Sequence, residues 1–316
     1  MIDVNEDLHE ACPRYFTLED YEGGVARWCP GCGDLAVLTA VQRICRDEQL
    51  PPEKIVAVSG IGCSSRFPHY MKTYGFHGLH GRALPVACGI KARRPDLTVW
   101  VATGDGDCCS IGAGHWVHAI RYNMDMTVLL FDNHVYGLTK NQTSPTSPVG
   151  MRTNTHPSGA FLPPLNPAAV TLGFTNVSFV AQTVDWNPSH LYETIRAGYR
   201  HKGTAFIRIL QRCPTYTDKM YEDFQRDPSR LLLLTHENGI QVDPALDRML
   251  TNRMRHDPAD LAEARAIAER HDPLPIGLLF RDESRPCYQD VTCEGLDMTR
   301  DERREAFERE LDRFLV

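Results

Sequence analysis

An α/β fold, with a mainly parallel sheet covered by helices on both faces, is the class this sequence predicts. Short apolar runs alternate with segments of helical periodicity up to about residue 212, the order expected of strand–helix–strand units. Several of those runs close on glycine, aspartate or cysteine turns, where parallel strands end and such sheets bind ligands. The chain has 316 residues, 42% of them hydrophobic, enough for one large domain of this kind.

The elements follow in order. Residues 1–33 read as loop, with 1–24 as an N-terminal arm and Cys29-Pro30-Gly31-Cys32 as a tight turn. Asp34 is placed to cap a helix in which Leu35, Leu38, Val41, Ile44 and Cys45 recur at helical spacing. Residues 54–59 form an apolar run, a buried strand that feeds the turn Gly60-Ile61-Gly62-Cys63. A His- and Gly-rich loop at 75–81 leads to a helix at 84–93, a strand at 97–102, a helix at 111–123 and a strand at 126–131. Strands at 177–181 and 205–210 flank a helix at 191–200. Residues 141–165 are rich in Pro, Ser, Thr and Asn, and a loop this long in a compact domain is usually functional. Past residue 214 the alternation weakens. Charged helices at about 258–271 and 299–314 mark a C-terminal extension, 216–316, packed on the main domain at 25–215 or on a partner.

Composition excludes several classes. A net charge of −7 argues against a broad nucleic-acid surface. No apolar run reaches the ~18–20 residues of a membrane span, and the acidic start MIDVNEDLHEACPRY lacks the apolar core of a signal peptide. Eleven cysteines, an odd number without an export signal, point to metal or redox chemistry in a reducing cytoplasm rather than to a disulfide framework.

Gly104-Asp105-Gly106-Asp107 stands at the end of the strand at 97–102. Small glycines let a backbone approach a diphosphate closely. A carboxylate beside a diphosphate suits magnesium, which takes one or two protein oxygens together with phosphate oxygens. Asn133 follows Asp105 by 28 residues, at the end of the next strand, where adjacent parallel strands would bring the two side chains together. The carbonyl of Val135 could add a third ligand. A plain turn is the simpler reading of the motif taken alone. A calcium loop is excluded by the preceding strand and the missing glutamate at loop position twelve.

Cysteines form a second constellation. Cys29 and Cys32 make a CxxC claw, Cys63 follows one strand and Cys213 another. Four thiolates can hold a [4Fe-4S] cluster or a tetrahedral zinc ion, and the residues alone do not choose between them. Cys88 competes as fourth ligand, but a cysteine inside a helix is usually core packing. Cys108 and Cys109 read as small packing residues, and Cys12, Cys45, Cys287 and Cys293 have no ligand-like context.

These residues carry a resemblance. Gly-Asp-Gly followed by this Asn is similar to the thiamine diphosphate motif. The segments at 28–33, 60–66, 77–82, 104–107 and 136–140, with NQTSPTSPV at 141–149, resemble the β subunits of 2-oxoacid:ferredoxin oxidoreductases, most closely those acting on 2-oxoglutarate. The likeness covers about residues 25–215 and implies a thiamine diphosphate-binding fold. It implies magnesium on Asp105, Asn133 and the Val135 carbonyl. Gly106, Asp107, Gly137 and Leu138 would lie along the diphosphate, with Ile61, Gly62, Cys63, Ser64 and His80 against the cofactor. A structural loop histidine is the alternative for His80. One [4Fe-4S] cluster on Cys29, Cys32, Cys63 and Cys213 is implied as well.

The implied reaction converts 2-oxoglutarate and coenzyme A to succinyl-CoA and carbon dioxide, with electrons leaving singly to ferredoxin. An α subunit would complete the site, in an (αβ)2 assembly, so that the chain alone is inactive. Arg66 and Lys140 would hold a substrate carboxylate or coenzyme A phosphates, unless they are solvated surface charges. A pyruvate-type or broad-specificity relative is the second reading, and a non-catalytic zinc-binding module the third.

Overall fold

The computed structural model describes residues 14–237, 239–292 and 298–314. Cys12, Cys293 and the first part of the expected arm lie outside the described residues. Helix α1 (Asp34–Asp47) precedes strands β1 (Ile55–Ser59) and β2 (Tyr74–His77), then α2 (Ala83–Arg93) and β3 (Thr98–Gly104). Next come α3 (Ala113–Tyr122), β4 (Met126–Asp132), the two-residue strands β5 (Val135–Tyr136) and β6 (Gln142–Thr143), and α4 (Pro167–Leu172). Strand β7 (Phe179–Val184), α5 (Pro188–Tyr199) and β8 (Thr204–Leu210) complete the alternating part. The remainder holds α6 (Glu222–Arg226), β9 (Leu231–Thr235), α7 (Pro244–Met249), β10 (Arg253–Arg255), α8 (Leu261–Ala268), β11 (Leu274–Arg281), α9 (Tyr288–Thr292) and α10 (Arg300–Asp312).

Nine strands form one sheet in the order β10-β9-β11-β7-β8-β4-β3-β1-β2. All neighbours are parallel except β11 and β7, which run antiparallel. Side chains alternate across each strand, so both faces need cover. Val56, Val58, Val99, Val101 and Val128 face the cluster that includes Ala87 of α2, Trp116 of α3, Leu172 of α4 and Ile267 of α8. Ile55, Ala57, Trp100, Leu129 and Phe131 face the opposite cluster, with Val41 and Ile44 of α1 and Leu191 and Ile195 of α5.

The C-terminal part, expected as an extension packed on the main domain or on a partner, joins the main sheet. Strands β9, β10 and β11 continue the same sheet across residue 215. The sequence hides them for physical reasons. Leu231 to Leu234 is a leucine run, equally apt for a buried helix. β11 carries Pro275 and Gly277, residues that usually interrupt strands. β2 is exposed at all four positions and so shows no apolar signal.

Asp34 does not cap α1. The N-cap position is Gly33, without a side-chain cap bond, and Asp34 is the first helical residue, fully buried. The helix expected from residue 111 opens with a π turn at Asp107–Ile111 before α3 begins.

Candidate active site

Four neighbouring strands end at the site. In the pairing of β3 with β4, Gly104 stands opposite Phe131, so Asp105 and Asn133 leave the ends of adjacent strands. The pairing of β4 with β8 sets Asp132 opposite Leu210, which delivers Gln211 and Cys213 next to Asn133. Beyond β1, on the other side of β3, comes the turn 60–63.

A cavity of about 360 Å³ opens there. Asp105, Asn133 and Val135 line it, as do Gly106 and Asp107. Ile61, Gly62, Cys63 and Ser64 form another wall, and His80, Gly137 and Leu138 complete it. Two glycines are needed for backbone reasons. Gly62 has φ +131, outside what side-chain-bearing residues readily adopt. A Cβ on Gly106 would stand 2.2 Å from the Tyr136 ring, whose hydroxyl donates to the Gly106 carbonyl at 3.0 Å.

Asp105 is buried, and its Oδ2 accepts from the hydroxyls of Ser144, 2.5 Å, and Thr146, 2.7 Å. Burial first, and then the charge of Asp132, push its carboxyl up from the usual range. The Thr146 hydroxyl also contacts Asp132 Oδ1 at 2.7 Å. Arg208 Nε donates to Asp132 Oδ2 at 2.7 Å. Burial works to raise Asp132, but His134 and Arg208 outweigh it and hold the carboxyl below its ordinary value. A bound divalent cation would favour the ionised form of Asp105 in the same way.

Asp107 lines the cavity, but its carboxylate is occupied by donors. Oδ1 accepts from the Ile61 amide at 3.1 Å, the Gly81 amide at 2.7 Å and His80 Nδ1 at 2.6 Å, and Oδ2 accepts from Thr103 Oγ1 at 2.7 Å. Its side chain therefore ties the turn at 60–63 to the loop at 80–81. A carboxylate at His80 Nδ1 places a proton on that nitrogen and leaves Nε2 for the cavity chemistry.

Cys29, Cys32, Cys63 and Cys213 line one adjoining pocket of about 210 Å³. Arg66 and Lys140 line this second pocket rather than the first, while Cys63, Asn133, Gly137 and Leu138 border both. Cys88 is absent from either lining; it packs beside the α2 core cluster. Burial, then the nearby Asp34, push the Cys63 thiol up to about 12, and the same two causes raise Cys32. Among the described residues, no three His, Cys, Asp or Glu side chains stand close enough to close on a single metal ion.

Sequence reasoning missed several parts of this site. Trp28 Nε1 donates to the Cys63 carbonyl at 2.7 Å, and Thr215 Oγ1 contacts Cys29 Sγ at 3.5 Å. Asp34 lies fully buried next to Cys32, and burial lifts its carboxyl to about 7, opposed by the Cys32 thiol. Only the tract containing Ser144 and Thr146 carried a signal, as the Ser- and Thr-rich stretch of a long loop.

The comparisons agree with this geometry. A family profile described as "Thiamine pyrophosphate enzyme, C-terminal TPP binding domain" matches residues 60–209. A second profile, for the C-terminal part of the pyruvate ferredoxin oxidoreductase beta chain, matches residues 247–294. The 2-oxoglutarate oxidoreductase subunit KorB of Mycobacterium tuberculosis is 40% identical over 290 residues, which covers 84% of this chain and 77% of that one. The chain belongs to the 2-oxoacid:ferredoxin oxidoreductase β-subunit family. Within it, a 2-oxoacid:ferredoxin oxidoreductase β subunit of Aeropyrum pernix is 39% identical, covering 84% of this chain and 82% of that one. The solved 2-oxoglutarate:ferredoxin oxidoreductase from Magnetococcus marinus, with 2-oxoglutarate, coenzyme A and succinyl-CoA bound, superposes with a TM-score of 0.78. That match is 36% identical and covers 92% of this chain and 96% of that chain. Membership in this family makes the chain a thiamine diphosphate-enzyme subunit, and the family's α/β fold is the one described above.

Proposed function

We propose that this chain is the thiamine diphosphate-binding β subunit of a 2-oxoglutarate:ferredoxin oxidoreductase. It would form succinyl-CoA, carbon dioxide and reduced ferredoxin, or run the reverse carboxylation. The observation that carries the reading is the contiguity of two pockets: the glycine- and oxygen-lined cavity of Asp105 and Asn133 shares a wall with the four-cysteine pocket. The names of the relatives support 2-oxoglutarate as substrate.

The residues present fit the implied groups. Asp105, Asn133 and the Val135 carbonyl offer the hard oxygens that magnesium prefers, and the amide-rich turn at 105–107 lies where a diphosphate would approach. The cysteine pocket offers four thiols around one shared cavity, the donor set that a [4Fe-4S] cluster takes.

When bound, thiamine diphosphate supplies an electron sink for the decarboxylation, and a cluster supplies one-electron storage. The chain's own residues do the rest. Asp107 fixes His80 with Nδ1 protonated, so that Nε2 can hold or pass a proton in the cavity. Phe131 and Val135, both buried, line the cavity with apolar surface that excludes water. Arg66, anchored by Nε to the Tyr70 hydroxyl at 2.9 Å, presents a guanidinium suited to a distal carboxylate. Lys140, exposed beside it, suits a phosphate of coenzyme A. The site is completed by an α subunit, in an (αβ)2 assembly, and a ferredoxin takes the electrons. Among the described residues no helix is long and apolar enough to cross a membrane.

Substrate profiling tests the reading. The complex purified with its partner subunit, assayed for acyl-CoA and ferredoxin reduction, should prefer 2-oxoglutarate over pyruvate. Arg66→Ala should lower kcat/KM for 2-oxoglutarate roughly tenfold or more, the scale of one charged hydrogen bond, and leave pyruvate nearly unchanged. Equal loss on both acids would remove Arg66 from the distal-carboxylate role. A preference for pyruvate would move the chain to the pyruvate-type or broad-specificity reading.

A further inference from the structure

Gln211 lies between the two pockets and is completely buried. Its position follows from β8, whose last residue pairs with Asp132, and its backbone amide donates to the Asp132 carbonyl at 2.9 Å. Its side chain touches one residue of each constellation. The Gln211 Oε1 accepts from Asn133 Nδ2 at 2.8 Å, and Gln211 Nε2 lies 3.4 Å from Cys32 Sγ.

The orientation of both amides is dictated by backbone groups at the two ends of this chain of contacts. The Val135 N–H can only donate, and it reaches Asn133 Oδ1 at 3.1 Å. That makes the other Asn133 atom the nitrogen, which must face an acceptor, and Gln211 Oε1 is the atom there. Gln211 must then turn its own nitrogen the other way. On that side it meets the Arg212 carbonyl, which can only accept, at 2.5 Å, and the Cys32 sulfur. A flip of Asn133 would set like groups against each other at Val135 and Gln211, and a flip of Gln211 would do so at Asn133 and the Arg212 carbonyl.

Resting on the reading of the two pockets given above, we propose that Gln211 is a positioning residue shared by the metal–diphosphate site and the cysteine site. Through Asn133 it holds the amide oxygen toward the cation position, as partners of metal ligands commonly do. Through Nε2 it donates a hydrogen bond to Cys32 sulfur, and such bonds stabilise the more negative, reduced state of a thiolate-held cluster and raise its potential. One side chain thus orients a ligand of each group.

Two substitutions separate the arms. Gln211→Glu keeps an acceptor for Asn133 and removes the donor to Cys32. Gln211→Leu removes both. The measurements are made on the full chain purified anaerobically with its partner subunit: magnesium–thiamine diphosphate affinity by calorimetry, and cluster midpoint potential by electron paramagnetic resonance-monitored titration. Gln211→Glu should retain affinity within about twofold, and its reduced-to-oxidised ratio at a fixed potential should fall about tenfold, ~59 mV for a one-electron couple. Gln211→Leu should show that fall and lose roughly tenfold or more in affinity, the usual range for partners of metal ligands. Unchanged potentials in both variants, or equal loss of both properties in both variants, would overturn the proposal. A wild-type complex that binds no thiamine diphosphate and carries no cluster would instead overturn the functional reading, and this inference with it.

Discussion

His190, on α5, is fully buried, with Nδ1 2.8 Å from Thr183 Oγ1. Burial lowers its pKa to about 4 from an ordinary 6.5. Between those values the unfolded chain binds a proton that the folded chain refuses, so folding is fully favoured above 6.5 and weakens as pH falls toward 4. The loss at this residue is roughly 3 kcal/mol across that window. Urea unfolding at a series of pH values should therefore show a slope in the wild type that His190→Gln flattens; parallel curves would mean that the ring is accessible to protons. At this scale the proposed ligands were more legible than their supports. Cys29 and Cys32 are revealed by spacing, and Asp105 by its glycine neighbours. Gln211, Asp34 and Arg208 have residue types that usually lie on surfaces, and only the strand order makes them interior.

Among the elements, the segment at 141–165 has the clearest energetic role. Ser144 and Thr146 anchor it to the ends of β3 and β4 through Asp105 and Asp132. Thr146 is fully buried. Thr146→Val keeps the shape and removes the one hydroxyl that bridges the two buried carboxyls, so it should cost about 1–3 kcal/mol. Denaturant unfolding measures that cost, and hydrogen exchange at residues 144–147 should accelerate along with it. A loss below about 0.5 kcal/mol, the scale of an ordinary surface substitution, would show that the loop is held by other contacts. Strands β1, β3, β4, β7 and β8 were legible because each carries a short, mostly apolar run bracketed by helical periodicity. The strands after residue 215 were not, since a leucine run and a strand with Pro and Gly give no periodic signal by themselves.

At the scale of the molecule, the order β8-β4-β3-β1 makes the site. It brings Cys213, Gln211, Asn133, Asp105 and Cys63 to one edge from segments far apart in the sequence. The sequence implied adjacency at that edge through alternation alone, and the resemblance identified the groups it would hold. The resemblance implied which four cysteines belong together, and the strand order brings those four to one pocket without Cys88. Side-by-side binding of thiamine diphosphate and a four-cysteine cluster is the core of the proposed function. It is tested most directly by iron, sulfide and thiamine diphosphate analysis of the anaerobically purified protein, alongside its visible absorption spectrum. About four irons and four sulfides per chain are expected, with broad absorption at ~400 nm. Iron should be lost in Cys213→Ser and retained in Cys88→Ser, and bound thiamine diphosphate should be lost in Asp105→Asn. A colourless protein holding one zinc per chain, or iron that survives Cys213→Ser and is lost in Cys88→Ser, would contradict it.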